Sequence, residues 1–184
     1  MKKLTKEEIR ERFESSRAFN VMFDAFEQAL EQRIDDMEVY RFLFWNKFLS
    51  SDELCLFGQK LSKELPHLSY EVAMWLATVF AVTYSAYDNF ELALVYYKKA
   101  ATINPSEPSP YLDAADCYEP DLKIPPINAL IDFLKHGSSR VNDPRPLYTR
   151  LVKFYELEDN DEMSLYYRRK LDEHPPGPYD PINP

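Results

Sequence analysis

Apolar residues recur three and four positions apart along most of the chain, in runs of roughly ten to seventeen residues. This spacing places them on one face of an α-helix, and no long window alternates as a β-strand does. Short segments rich in proline, glycine, aspartate and asparagine separate the runs. The pattern predicts an all-α protein of about nine or ten helices, joined mostly by short turns.

Several helix ends have recognisable signals. Thr5 and Ser51 offer hydroxyl groups for the first amides of a helix, and acidic residues follow each of them. Pro66 and Pro105 predict helix ends, because proline cannot continue a helix. Residues 5–33 form an amphipathic helical pattern that precedes the repeats described next.

A repeat organises the middle of the chain. Within residues 74–105, small, aromatic and proline residues occupy six positions of the 34-residue tetratricopeptide pattern: Ala81, Tyr84, Ala93, Tyr97, Ala100 and Pro105. The small residues let the two helices of a hairpin approach closely, while the aromatic residues fill the space beside them. The chain therefore resembles tetratricopeptide repeat proteins, and the resemblance implies a right-handed α-solenoid of helical hairpins.

Shifting this pattern along the chain predicts further hairpins. One repeat length downstream, residues 109–118 and 127–135 form the next pair of helices, and a divergent fourth pair follows. Upstream, residues 37–65 give a weaker match, in which bulky Trp45 falls on the position of Ala81 and Phe48 on that of Tyr84.

The pattern divides the chain into three parts. We expect an N-terminal helical cap at residues 1–36, three to four tetratricopeptide-like hairpins at residues 37–174, and a proline-rich tail at residues 175–184. Terminal segments of repeat arrays commonly act as caps, because the end of the stacked core must be covered. The cap is also a candidate dimerisation segment.

The third hairpin begins with the run EPSPYLDAADC at residues 107–117. This run resembles the third tetratricopeptide repeat of the class II chaperones of bacterial type III secretion. The resemblance implies a cytoplasmic, non-enzymatic chaperone that holds an extended hydrophobic segment of a secreted translocator or effector before export. It also implies a homodimer through the N-terminal helices. The alternative is a tetratricopeptide scaffold or adaptor that assembles a protein complex.

The repeat geometry predicts a peptide-binding groove, because the first helices of stacked hairpins form the concave surface. The predicted groove residues are Val39, Phe42, Asn46, Trp75, Thr78, Val82, Leu112 and Asp116. Each apolar anchor of a bound peptide would contribute ~1.5 to 3 kcal/mol before ordering costs. Asp116 would meet a basic residue of the peptide. The alternative for the apolar members is packing against neighbouring helices.

Charge narrows the classes of partner. Asp and Glu number 31 against 22 Lys and Arg, which gives a net charge of −9 and a pI near 4.9. A field of this sign disfavours nucleic acids and anionic membrane surfaces.

No apolar run reaches the ~18 residues of a membrane span, which predicts a cytoplasmic protein. Cys55 and Cys117 lie in helical patterns and are predicted to be buried free thiols.

No catalytic residue, metal site or cofactor is predicted. The three glycines are isolated, so the chain has no phosphate-binding loop. The three histidines are scattered, and the acidic runs lack the glycine and glutamate that a calcium loop requires. We therefore expect a protein that binds other proteins.

Overall fold

The fold is entirely helical in the part of the chain that this computed structural model describes, residues 3–83 and 88–173. Those residues form ten α-helices and one short 3₁₀ helix, without a β-strand among them, so the predicted all-α class is confirmed. The chain divides into two compact units, Met1–Ile103 and Asn104–Pro184. Tyr84 of the repeat pattern and the proline-rich tail lie outside the described residues.

The first unit contains six α-helices. They are α1 (Lys6–Ser15), α2 (Phe19–Glu31), α3 (Met37–Phe44), α4 (Ser51–Glu64), α5 (Ser69–Val82) and α6 (Asp88–Ile103). Helix α1 contacts α2 and α3, α3 contacts α5, and α5 contacts both α4 and α6. The predicted ends hold, because α4 stops two residues before Pro66 and α6 two residues before Pro105.

Capping side chains fix where two of these helices begin. The Thr5 hydroxyl accepts the amide of Glu8 at 3.1 Å, and the Glu8 carboxylate accepts the amide of Thr5 at 2.8 Å. At α4 the same arrangement joins Ser50 and Glu53, so the cap lies one residue before the predicted Ser51. Ser50 is the residue three positions before an acid, which is the spacing that a capping box requires.

The amphipathic pattern over residues 5–33 forms two helices with a turn between them. The Ser16 hydroxyl accepts the amide of Ala18 at 3.2 Å, a local bond that competes with helix continuation. The apolar residues of these helices pack inside the first unit, and Phe13, Met22 and Phe26 are fully buried there. The homodimer expected through this segment stays a prediction.

Aromatic rings from three elements form the core of the first unit. The Phe26 ring meets the Phe57 ring edge-on with 4.9 Å between centroids, and Tyr40 lies 6.0 Å from Phe26. The Tyr40 hydroxyl donates to the carbonyl oxygen of Ile34 at 2.7 Å. Burial, assisted by nearby Asp35, raises the pKa of Tyr40 well above its usual value. This tyrosine is therefore a neutral structural donor.

The second unit contains four α-helices: α7 (Ser109–Asp116), α8 (Ile127–Ser138), α9 (Arg145–Leu157) and α10 (Asp161–Glu173). Helix α7 contacts α8 and α9, α8 contacts α9, and α9 contacts α10. Tyr111 is fully buried between these helices, with its ring 4.7 Å from that of Phe133. Burial, with nearby tyrosines, raises the pKa of Tyr167 to about 12.

The two cysteines are less buried in the structure than the sequence predicted. Cys55 and Cys117 are free thiols, as expected, but both are half-buried where full burial was predicted. Cys55 lies within α4, and Cys117 is the residue that follows the last turn of α7. Among the described residues no helix combines the length and the apolar character needed to cross a membrane.

Candidate functional site

The partly accessible aromatic side chains of the first unit include four on α3, on α5 and in the turn after α3. Phe42 belongs to α3, Trp45 caps its end, Phe48 lies in the following turn, and Trp75 belongs to α5. Trp45 is 47% exposed and Phe48 44% exposed, while Phe42 and Trp75 are half-buried. We refer to these four residues as the aromatic surface.

The aromatic surface is continuous between α3 and α5. The Trp45 and Trp75 rings meet edge-on with centroids 6.3 Å apart. Phe42 and Trp45 stand three positions apart, so both project from the same side of α3. The contact between α3 and α5 therefore brings rings from two helices onto one accessible face.

Cationic side chains cover the rings of this surface. The guanidinium carbon of Arg10 lies 4.1 Å from the Phe42 ring centroid. The guanidinium carbon of Arg41 lies 4.4 Å from the Trp75 centroid, and Arg41 also pairs with Glu38. These distances are within the range of cation–π attraction, which is strongest for tryptophan.

The turn after α3 carries the other part of the cationic cover. Both Arg17 and Lys47 approach the Phe48 ring, at 5.1 Å and 5.4 Å from its centroid. Arg17 lies in the turn between α1 and α2, so it comes from a different part of the chain. The side chains of two turns therefore meet at Phe48.

Asn46 holds these two turns together. Its amide nitrogen donates to the carbonyl oxygens of Phe13 at 2.7 Å and Ser16 at 3.0 Å. Its side-chain oxygen accepts the amide of Phe48 at 2.9 Å. Asn46 is only 7% exposed, so it positions the surface and presents no group to a ligand.

The other predicted groove residues of the first unit have different surroundings. Val39 is buried at 3% exposure, because it faces the packed side of α3. Thr78 is half-buried, and its hydroxyl donates to the carbonyl oxygen of Met74 at 3.0 Å. Val82, the last residue of α5, is 48% exposed. Of the predicted residues in this unit, Phe42, Trp75 and Val82 thus retain accessible apolar surface.

Two predicted groove residues belong to the second unit. Leu112 is half-buried, and exposed Asp116 forms an ion pair with Arg150 of α9 at 2.7 Å. Burial, with the charges of Asp116 and Glu107, raises the pKa of Asp113 above its usual value. Asp116 therefore already has a cationic partner within its own unit. A groove shared by both units stays a prediction.

The sequence did not predict that Trp45 and Phe48 belong to this surface. It also did not predict the cations beside the rings, which are Arg10, Arg17, Arg41 and Lys47. The sequence did contain one signal, since the predicted repeat alignment placed Trp45 where that pattern has a small side chain. A ring that does not fit a predicted packing position is a candidate for exposure. Three of the cations gave no comparable signal, because Arg10, Arg17 and Arg41 reach their rings from other parts of the chain, and those approaches depend on tertiary packing.

Two further features of the described residues bear on a metal or ligand site. Within residues 3–83 and 88–173 no group of three or more histidine, cysteine or acidic side chains is placed to hold a metal ion. A polar cavity of about 540 Å³ beside α2 is lined by Lys3, Asp24, Glu27, Gln28, Glu31 and Gln32. Its lining contains no histidine, cysteine, serine or threonine side chain.

The comparisons with known proteins give no family assignment. The chain matches no protein-family model, and no curated protein matches it.

Proposed function

We propose that the protein is a chaperone of the tetratricopeptide type. It binds an extended hydrophobic segment of a secreted translocator or effector before type III export. The observation that carries the proposal is the aromatic surface, with rings from α3 and α5 on one accessible face. Exposed aromatic patches in folded proteins mark interaction sites more often than chance would give.

Several contacts between helices support the repeat part of this proposal, while α3 and α4, which the repeat pattern pairs as a hairpin, do not pack closely against each other. In stacked hairpins, the first helix of each hairpin packs against the first helix of the next. In the first unit α1 contacts α3 and α3 contacts α5, and in the second unit α7 contacts α9. The second helices α4 and α8 also contact the first helix of the following hairpin. In this reading α1 and α2 form a hairpin that caps the first unit.

The mechanism is sequestration without chemistry. Apolar anchors of the bound segment would cover the rings of Phe42, Trp45 and Trp75 and lose their own contact with water. Each well-buried anchor contributes ~1.5 to 3 kcal/mol to binding, and the entropy cost of ordering the segment reduces this gain. Binding of this strength suppresses aggregation of the segment and still permits release by a competing partner.

A charge placed in the aromatic surface tests the proposal. We expect Trp75→Glu to weaken binding of a fluorescein-labelled 12-residue peptide, with leucine and phenylalanine anchors spaced by serine and proline, by tenfold or more. The matched control is Val95→Glu, which makes the same kind of change at a 56% exposed position of α6. Fluorescence anisotropy measures affinity, and far-ultraviolet circular dichroism checks helicity.

Two results would contradict the proposal. The first is undiminished peptide binding by a helical Trp75→Glu protein. The second is failure of the unsubstituted protein to bind any extended apolar peptide while it captures a folded partner. That second result favours the scaffold or adaptor alternative.

A further inference from the structure

We infer that the aromatic surface binds a segment that carries carboxylates beside its apolar side chains, in preference to a purely apolar or basic segment. The inference rests on the proposed function and specifies its ligand. Four cations lie over three of the four rings, and their charge favours a ligand that carries negative charge.

The stacked cations retain the groups that bind a carboxylate. A guanidinium that lies over a ring uses its flat face, while its five N–H donors point outward in the plane. The guanidinium carbon of Arg10 lies 4.1 Å from the Phe42 centroid, and that of Arg17 lies 5.1 Å from the Phe48 centroid. A carboxylate can therefore bind at the edge of each guanidinium while an apolar side chain contacts the neighbouring ring.

Three of the four cations have no acidic partner in the described chain. Within residues 3–83 and 88–173, Arg10, Arg17 and Lys47 form no ion pair, whereas Lys6 and Lys60 of the same unit pair with Asp36 and Glu27. These three cations gain no ion pair on folding, so their charge remains available to a ligand.

Acidic side chains also lie near the aromatic surface. Glu38 pairs with Arg41. Glu7 and Glu14 stand one helical turn to either side of Arg10, and Glu71 stands one turn before Trp75. Among the described residues none of these acids forms an ion pair with the unpaired cations, whose charge lies directly at the rings. Exposed charges are screened within ~10 Å, so a short acidic segment at the surface responds to the local cations.

Aromatic rings interleaved with cations also occur in platforms for single-stranded nucleic acids. The net charge of −9 repels a long polyanion, whose charges extend far beyond the aromatic surface. A peptide with a few carboxylates does not carry that penalty. The observations therefore favour an acidic peptide, and an oligonucleotide serves as a competing ligand in the test.

Three matched peptides test the inference on the full chain. They share leucine and phenylalanine anchors and differ only in four intervening residues, which are glutamate, glutamine or lysine. We expect the glutamate peptide to bind at least fivefold more tightly than the glutamine peptide at 50 mM salt, with the ratio shrinking at 300 mM. The lysine peptide should bind most weakly.

Two triple variants test whether the cations at the rings cause the preference for the glutamate peptide. The triple variant Arg10→Gln, Arg17→Gln and Lys47→Gln should lose the preference for glutamate while it still binds the glutamine peptide. The control is Lys63→Gln, Lys98→Gln and Lys153→Gln, which removes the same charge from exposed sites elsewhere and should keep the preference.

Each outcome separates this inference from the proposed function. Equal binding of the glutamate and glutamine peptides, or tighter binding of the lysine peptide, overturns the inference and leaves a chaperone for apolar segments. Failure of all three peptides overturns the proposed function as well. A 12-nucleotide oligothymidine that displaces the glutamate peptide and binds more tightly overturns the inference in favour of a nucleic-acid platform.

Discussion

One side chain, Asn46, serves as the cap for a helix to which it does not belong. The last carbonyl groups of a helix have no partner within it, and Asn46 donates to two carbonyls at the end of α1. Its oxygen meanwhile accepts the amide of Phe48 in the turn after α3. All these groups are largely shielded from water, so an alanine at position 46 leaves them without partners.

We therefore expect Asn46→Ala to destabilise the protein by about 2 kcal/mol or more, since each unsatisfied buried polar group costs ~1 to 3 kcal/mol. Urea unfolding monitored by circular dichroism measures the change. Asn142→Ala, at an exposed position, serves as the control and should change stability by less than ~0.5 kcal/mol. Equal stability of the two variants would show that water satisfies the freed groups.

Helix α8 has a glycine, Gly137, at the point where it packs against α7 and α9. A Cβ atom at Gly137 would lie 2.6 Å from Cδ1 of the Tyr111 ring and 2.8 Å from Cδ2 of Leu147. Both neighbours are fully buried, and they come from α7 and α9. Close packing of three helices at this point therefore requires a glycine, although glycine disfavours helix formation by ~1 kcal/mol relative to alanine.

The packing requirement outweighs helix propensity at this position. We expect Gly137→Ala to destabilise the protein by ~1 to 3 kcal/mol, because a buried ring cannot move aside without disturbing its own contacts. Asp132→Ala, at an exposed position of the same helix, isolates the propensity effect and should be neutral or stabilising. Thermal unfolding compares the two variants, and a gain in stability for Gly137→Ala would refute the packing argument.

The helices could be predicted from the sequence more fully than the aromatic surface that they form. Helix starts at Thr5 and ends before Pro66 depend on interactions within a few residues, which the sequence displays directly. The positions of Arg10 and Arg17 at their rings depend on how α1 and the turn after it pack against α3 and the turn after that helix, and nothing in the spacing of these two arginines indicates a ring beside them. Of the predicted groove residues, Phe42 and Trp75 lie on the aromatic surface, since helical periodicity placed them on the first helices.

At the scale of the whole molecule, an acidic chain places cationic side chains directly at the rings of the aromatic surface. The net charge is −9, yet four cations lie within 5.5 Å of the ring centroids of Phe42, Phe48 and Trp75. The chain has two tryptophans, and both belong to this surface. Intrinsic tryptophan fluorescence therefore reports on the aromatic surface alone.

Ionic quenchers can test the sign of the local field. With free tryptophan amide as the reference for each quencher, we expect iodide to quench the protein about twofold more effectively than caesium at low ionic strength. The cations attract iodide to the rings and repel caesium. The Arg10→Gln, Arg17→Gln and Lys47→Gln variant should lose most of this difference between iodide and caesium. The urea-unfolded protein should show no preference for iodide. Preferential quenching by caesium would mean that the net charge of the molecule outweighs the cations at the rings, and the argument for an acidic ligand would then fail.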